Sequence, residues 1–225
     1  MSKIVIAIDG FSGCGKSSTA KAVAKALDYT YIDSGAMYRA ATLHFLNKLT
    51  VLINPKDVRN SLESLNISFQ INPANQKQET YLNGLNVEKE IRTMRVSDYV
   101  SEVSKIKEVR QELVAQQQKL GKKKGVVMDG RDIGTVVFPD AELKVFMTAD
   151  LNIRAARRQK EILEKGDLVE IQKIIQNLDE RDKTDSSRKE SPLKKAEDAV
   201  DIDTSLLEFD DQVDRIVSLA KEKIG

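Results

Sequence analysis

An α/β fold on a mainly parallel sheet of five strands follows from two features of the 225-residue sequence. Short apolar, β-branched runs recur at Lys3–Asp9, Tyr29–Asp33, Gly125–Asp129, Leu143–Thr148 and Ala199–Asp203. Segments of helical period lie between most of them, an alternation that predicts parallel strands joined by right-handed crossovers.

The elements follow in chain order. Lys3–Asp9 is apolar without alternation, as a strand buried on both faces requires. The glycine-rich turn Gly10–Gly15 leads into an amphipathic helix over Lys16–Leu27. Tyr29–Asp33 is the second strand and lies beside the first if the sheet follows chain order; a helix over Ala36–Asn47 comes next. Between Ile67 and Val87 the rhythm changes to short alternating segments, Ile67–Ile71 and Thr80–Leu82, followed by Asn83-Gly84. Asn-Gly between apolar residues is a strong hairpin signal, so a small antiparallel insert of about three strands is expected. Its Asn and Gln content also suits an irregular polar loop. Val109–Leu120 has helical period, and the wider segment Asp98–Lys119 also reads as a helix, before the third strand, Gly125–Asp129; Leu143–Thr148 is the fourth. The polar region 150–195 takes its apolar face from Ile162, Leu163, Leu168, Ile171, Ile174, Ile175 and Leu178. The fifth strand, Ala199–Asp203, precedes a last helix over Phe209–Ile224.

Composition narrows the function. A formal net charge of +1 provides no global field to draw in a polyanion, which argues against a nucleic-acid partner. One cysteine, Cys14, permits no intrachain disulfide. No run approaches the roughly 20 apolar residues of a membrane span, and the first residues lack the pattern of a signal peptide. A cytoplasmic protein is expected.

The first turn carries chemistry. Gly10-Phe11-Ser12-Gly13-Cys14-Gly15-Lys16-Ser17 fits G-x-x-x-x-G-K-[ST], between a strand and a helix as that motif demands. Glycines let successive backbone N–H groups converge on one anion, and the helix start adds its dipole. Lys16 is placed to reach the β- and γ-phosphates, and the Ser17 hydroxyl to help hold Mg²⁺. The expected ATP site runs through Gly10, Phe11, Ser12, Gly13, Cys14, Gly15, Lys16, Ser17 and Ser18. The loop alone leaves three classes open: a small-molecule kinase, a GTPase switch and an ATPase. Asn54-Pro-Lys-Asp57 has the wrong order for a guanine-reading Asn-Lys-x-Asp, and no residue is assignable to orient an attacking water.

Three further clusters bear on the acceptor. Asp33-Ser34-Gly35-Ala36-Met37-Tyr38-Arg39 ends the second strand, where Arg39 could grip a phosphate or Ser34 could simply cap a helix. Asp129-Gly130-Arg131-Asp132 ends the third strand at the sheet edge where open α/β folds bind ligands. Arg181-Asp182-Lys183-Thr184-Asp185-Ser186-Ser187-Arg188 reads as a solvated loop or as a flap over a transferring phosphoryl group.

Taken together, the motifs at 8–17, 33–39, 129–139 and 181–188 with Pro192-Leu193 resemble the bacterial cytidylate kinase family across essentially the whole chain. That resemblance implies a P-loop nucleotide kinase fold in one domain over 1–225. Its parts would be a core (about 1–35, 120–150 and 196–225), an NMP-binding region with the antiparallel insert (about 36–119) and a helical lid (about 151–195). It implies transfer from ATP, with Mg²⁺, to CMP or dCMP, through the catalytic residues Lys16, Arg131 and Arg181. Ser101, Arg110, Asp132 and Arg188 match positions that recognise the cytosine edge, and Asp185 a ribose contact. Ser34, Arg39, Arg131 and Arg181 match positions around the acceptor and its phosphate. Arg154, Arg157 and Arg158 fall where the family places its lid on ATP. The stretch Asp185-Ser-Ser-Arg188 lacks the basic residues often found between the acid and the arginine. Partners would be small-molecule nucleotides, without nucleic acid or membrane, and the chain a monomer. His44, the only histidine, is expected to pack, and Cys14 to fill space.

Overall fold

The computed structural model describes residues 2–74, 77–164 and 166–225. It divides into two units, one running through Ile32 and resuming over Leu120–Gly225, the other Asp33–Lys119.

The larger unit is organised around Val5–Gly10 (β1), whose six residues are all buried. After it come Lys16–Leu27 (α1) and Thr30–Asp33 (β2), the last residue of which opens the second unit. Val126–Gly130 (β6), Leu143–Thr148 (β7) and Val200–Asp203 (β8) complete a five-stranded sheet in the order β2-β6-β1-β7-β8. The pairings β1–β6, β1–β7 and β7–β8 are parallel. The sheet is thus the expected one, with one correction. The second strand does not lie beside the first, because β6 is inserted between them. Burial explains the order: all five residues of β6 are inside, whereas Thr30 of β2 is exposed, as suits an edge strand.

Helices cover this sheet by burying apolar stripes. Ala20, Val23 and Ala24 of α1 and Ile216, Val217 and Ala220 of Phe209–Ile224 (α8) pack with Ile4, Ile6, Ile8, Val127, Val145 and Met147. Two more helices, Leu151–Leu163 (α6) and Ile171–Ser187 (α7), enclose a separate cluster of Ala155, Ile174 and Leu178, bordered by Ile162, Ile171 and Ile175. Leu163 and Leu168 do not join it. Both are exposed, Leu163 as the last residue of α6 and Leu168 ahead of the start of α7.

The smaller unit contains Ser34–Asn47 (α2), Pro55–Glu63 (α3), Met94–Val103 (α4) and most of Lys107–Gly121 (α5). Its insert is a three-stranded antiparallel sheet of Ile67–Ile71 (β3), Gln78–Leu82 (β4) and Leu85–Asn86 (β5). Asn83 and Gly84, both at positive φ, make the expected hairpin turn. Residues 75–76, inside the expected insert, and residue 165, inside the expected lid, lie outside the described residues.

One helical reading changes. Asp98–Lys119 is not one helix but α4 and α5, separated at Ser104–Ile106. Asn54-Pro55 opens a short helix, with Asn54 Oδ1 accepting the Lys56 amide and Pro55 at its start, so these residues have a capping role of their own. His44 is buried, its Nε2 within hydrogen-bond distance of Ser61 O and Ser64 Oγ.

Candidate active site

The loop after β1 is shaped by what its backbone must avoid. Gly10 has φ 147°, and a Cβ there would stand 2.0 Å from the carbonyl oxygen of Met147 on the neighbouring strand. Only glycine fits. At the other end, α1 starts at Lys16 behind Gly15, with no side chain capping its first amides and no acid in its first turn. Its positive end is therefore left to an anion supplied from outside. Cys14 is fully buried, its thiol donating to Phe11 O at 3.0 Å, which makes it the space-filler expected.

Lys16 is buried, and its Nζ donates to Phe11 O within the same loop. Burial, then the nearby Arg131 charge, push its pKa below the usual lysine range, while Asp129 and Asp185 work the other way. Such an ammonium gains from any phosphate brought to it. One residue further on, Ser17 Oγ donates to Asp129 Oδ2 at 2.8 Å, and Tyr31 Oη donates to the other carboxylate oxygen at 2.7 Å. Asp129 sits at the carboxyl end of β6. A hydroxyl and a carboxylate side by side at the phosphate loop form a hard oxygen set that suits Mg²⁺. No group of three or more His, Cys, Asp or Glu side chains able to hold a metal occurs among the described residues.

The 129–132 and 181–188 clusters meet within the larger unit. Arg131 Nε donates to Asp185 Oδ2 at 2.7 Å, and its Nη2 to Ser12 Oγ at 2.7 Å, so one guanidinium joins the phosphate loop to α7. Burial would raise the Asp185 pKa. The charges of Arg131, Arg188 and Arg181 outweigh it and hold the carboxyl below its usual range. For Arg181 the balance runs the other way: burial and the like charge of Arg131 lower its pKa, with only partial relief from Asp185. The buried Asp132 carboxylate lies 3.7 Å from Arg188 Nη2, whose other terminal nitrogen is 3.6 Å from Asp185 Oδ1. Arg188 Nε donates to Ser191 O, which holds the chain just beyond α7.

The three lid arginines occupy different places. Arg154 is buried: its Nε donates to Ala149 O, its Nη1 to Ser12 O and Asp182 Oδ2, and its guanidinium lies 5.5 Å from the Phe11 ring centroid. Asp182 also accepts the Ser12 amide at 3.1 Å. Arg157 is held by Thr204, through Oγ1 at 3.2 Å and the carbonyl at 2.6 Å. Arg158 lies on the outer face with Glu161. Ser18 lies on the exposed side of α1.

In the smaller unit the remaining candidates fall on α2, α4 and α5. Ser34 is buried at the start of α2, but the cap is Asp33, whose Oδ1 accepts the Ala36 amide. Arg39 Nη1 donates to Ser97 Oγ at 3.0 Å. Arg110, also buried, donates to Ser104 O and lies 5.2 Å from the Tyr38 ring centroid. Ser101, one turn before the break after α4, accepts the Ser104 hydroxyl through its carbonyl.

Three residues of this geometry, Asp129, Asp182 and Thr204, were given no role of their own from the sequence. Asp129 and Asp182 fall inside clusters that the sequence marks, whereas Thr204 falls in none. Nothing local marks the partners, because Asp182 meets Ser12 across 170 residues and Thr204 meets Cys14 across 190.

A family model described as cytidylate kinase matches residues 6–222. A cytidylate kinase of Cytophaga hutchinsonii is 54% identical, covering 100% of this chain and 96% of its own. One from Flavobacterium psychrophilum is 50% identical over 97% and 98%. Among solved structures, an uncharacterized protein from Eubacterium ventriosum superposes with a TM-score of 0.52 at 13% identity, covering 98% of this chain and 99% of that one. TT1252 from Thermus thermophilus gives 0.50 at 14%, with all of both chains covered. These two bear on the fold alone. A sheet with its phosphate loop, the acid–arginine clusters around that loop and a full-length sequence match converge on one conclusion: the chain belongs to the cytidylate kinase family.

Proposed function

We propose that this chain moves the γ-phosphoryl group of ATP to the phosphate of CMP or dCMP, giving CDP or dCDP, as a cytoplasmic monomer of pyrimidine nucleotide metabolism. The observation that carries the reading is the cation group of buried Lys16 with the half-buried Arg131 and Arg181. Lys16 and Arg181 have pKa values depressed by burial and by the Arg131 charge, so an incoming anion relieves both.

The chemistry needs little else. A nucleoside monophosphate is already an anionic nucleophile, its second pKa being about 6, so no general base is required. The residues must hold two phosphates in line and offset their repulsion. Lys16 is assigned to the β- and γ-phosphates, and Arg131 and Arg181 to the transferring group and the acceptor phosphate. Mg²⁺ would be held by Ser17 Oγ with Asp129 behind it, and when bound supplies charge neutralisation at the donor phosphates.

For the acceptor, the larger unit contributes Asp132 and Arg188 to the base and Asp185 to the ribose. Ser34, Arg39, Ser101 and Arg110 keep the roles toward an acceptor nucleotide that the family resemblance implies. The paired Asp132 and Arg188 offer an acceptor and a donor, the complement of cytosine's amino group and ring edge. Of the lid arginines, Arg158 has the guanidinium best able to reach ATP, since Arg154 and Arg157 are engaged with loop and strand-end carbonyls. The core, NMP-binding region and lid named from the sequence are retained as functional divisions.

A coupled ADP-release assay with ATP and a panel of CMP, dCMP, UMP and AMP tests the assignment. Release stimulated by CMP and dCMP above the others is expected. Equal stimulation by AMP would overturn the choice of acceptor, and release without any acceptor would point to an ATPase.

A further inference from the structure

We propose that Asp9 is a positioning residue for acceptor recognition, anchoring the turn that fixes Asp132. The proposal rests on the reading of Asp132 as a base-recognising residue.

Asp9 is buried at the end of β1. Both of its oxygens are committed to consecutive amides: Oδ1 accepts from Ile133 N at 2.8 Å and Oδ2 from Gly134 N at 2.7 Å. These are the first two amides of a π-helical turn, Ile133–Val137, where N–H groups have no partner within the turn itself. The residue immediately before the turn is Asp132, whose carbonyl accepts from Val136 N and Val137 N. Its carbonyl is therefore held by the turn it opens, and the two amides that follow it are held by Asp9.

The packing leaves this anchor no slack. A Cβ on Gly134 would stand 3.2 Å from the Lys144 side chain and 3.4 Å from Asp9 Oδ2. Lys144 does not neutralise Asp9, because its ammonium is 2.9 Å from Asp198 Oδ1. A buried carboxylate is a costly way to hold a turn if the turn is only scaffold. Two charge-assisted bonds do, however, fix the adjoining residue to the tolerance that a specificity contact demands. Asp9 thus stands behind Asp132 as Asp132 stands behind the base.

The test pairs hydrogen exchange with kinetics on the full chain. Asp9→Asn keeps the side chain's shape but can accept only one of the two amides. Exchange at Ile133 and Gly134 is expected to rise roughly tenfold or more, with other sheet amides unchanged. The KM for CMP should rise several-fold while the KM for ATP moves less than about twofold, and the CMP effect should shrink when Asp9→Asn is introduced into Asp132→Ala. Unchanged exchange at both amides would overturn the anchor. Equal rises in the two KM values, or a CMP effect undiminished in the double variant, would reduce Asp9 to a general structural role. Ordinary CMP kinetics in Asp132→Ala alone would instead sink the reading of Asp132, and exchange would still decide whether Asp9 holds the turn.

Discussion

Ser17 and Asp129 lie 112 residues apart in sequence, yet the Ser17 hydroxyl donates to Asp129 Oδ2 at 2.8 Å. The contact joins the first turn of α1 to the end of β6, and it exists because β6 rather than β2 is the neighbour of β1. In the proposed function, a carboxylate behind the hydroxyl would orient that oxygen toward Mg²⁺. Replacing Asp129 by Asn should raise the Mg²⁺ concentration needed for half-maximal rate by about 10–100-fold. A Mg²⁺ titration at saturating nucleotides checks this; an unshifted curve would remove Asp129 from the metal's surroundings.

Lys16→Met should lower kcat by roughly 10²–10³-fold or more, since a positive group aimed at developing charge is lost. Its stability should not fall, because the substitution removes a buried ammonium already disfavoured by burial and by Arg131. Steady-state turnover with a urea unfolding curve on the same sample separates the two effects.

Arg154 and Asp182 are both nearly buried, and they pair beneath the phosphate loop. Removing one partner leaves an uncompensated charge. Arg154→Met should therefore destabilise the chain by roughly 3–5 kcal/mol. The double change Arg154→Met with Asp182→Leu should recover much of that. Because Ser12 is held by both residues, the single variant should also raise the KM for ATP.

Asp9 has its pKa raised to about 6, chiefly by burial and further by Asp132, against the Ile133 and Gly134 amides and the Lys16 charge. In the unfolded chain an ordinary carboxyl titrates near 3.9. Between these values the folded state binds the extra proton, so this group's contribution to stability falls as pH rises from about 4 to about 6, then levels. Asp9→Asn removes that slope. The destabilisation it causes should be smaller at pH 7 than at pH 4.5, measured by urea unfolding of both proteins across the range. Activity is a poor readout here, since the acceptor phosphate titrates in the same window.

Much was determined by the sequence itself. The apolar runs fixed five strands, and the helices Lys16–Leu27 and Phe209–Ile224 stand at the ends their periodicity predicts. The phosphate loop was readable because its chemistry is local: glycine spacing, a lysine and a hydroxyl within eight residues suffice to shape it. Asn83-Gly84 marked the insert for the same reason.

Tertiary structure alone decided which strand neighbours β1, and through that which acid stands beside Ser17. It also set Asp182 and Thr204 against the phosphate loop, and Asp9 under the turn after Asp132. Strand order is chosen by total burial rather than by any short segment, and pairings across more than 100 residues leave no periodic trace. Local backbone preference writes the elements into the chain, while the balance of buried charge is struck only when those elements pack.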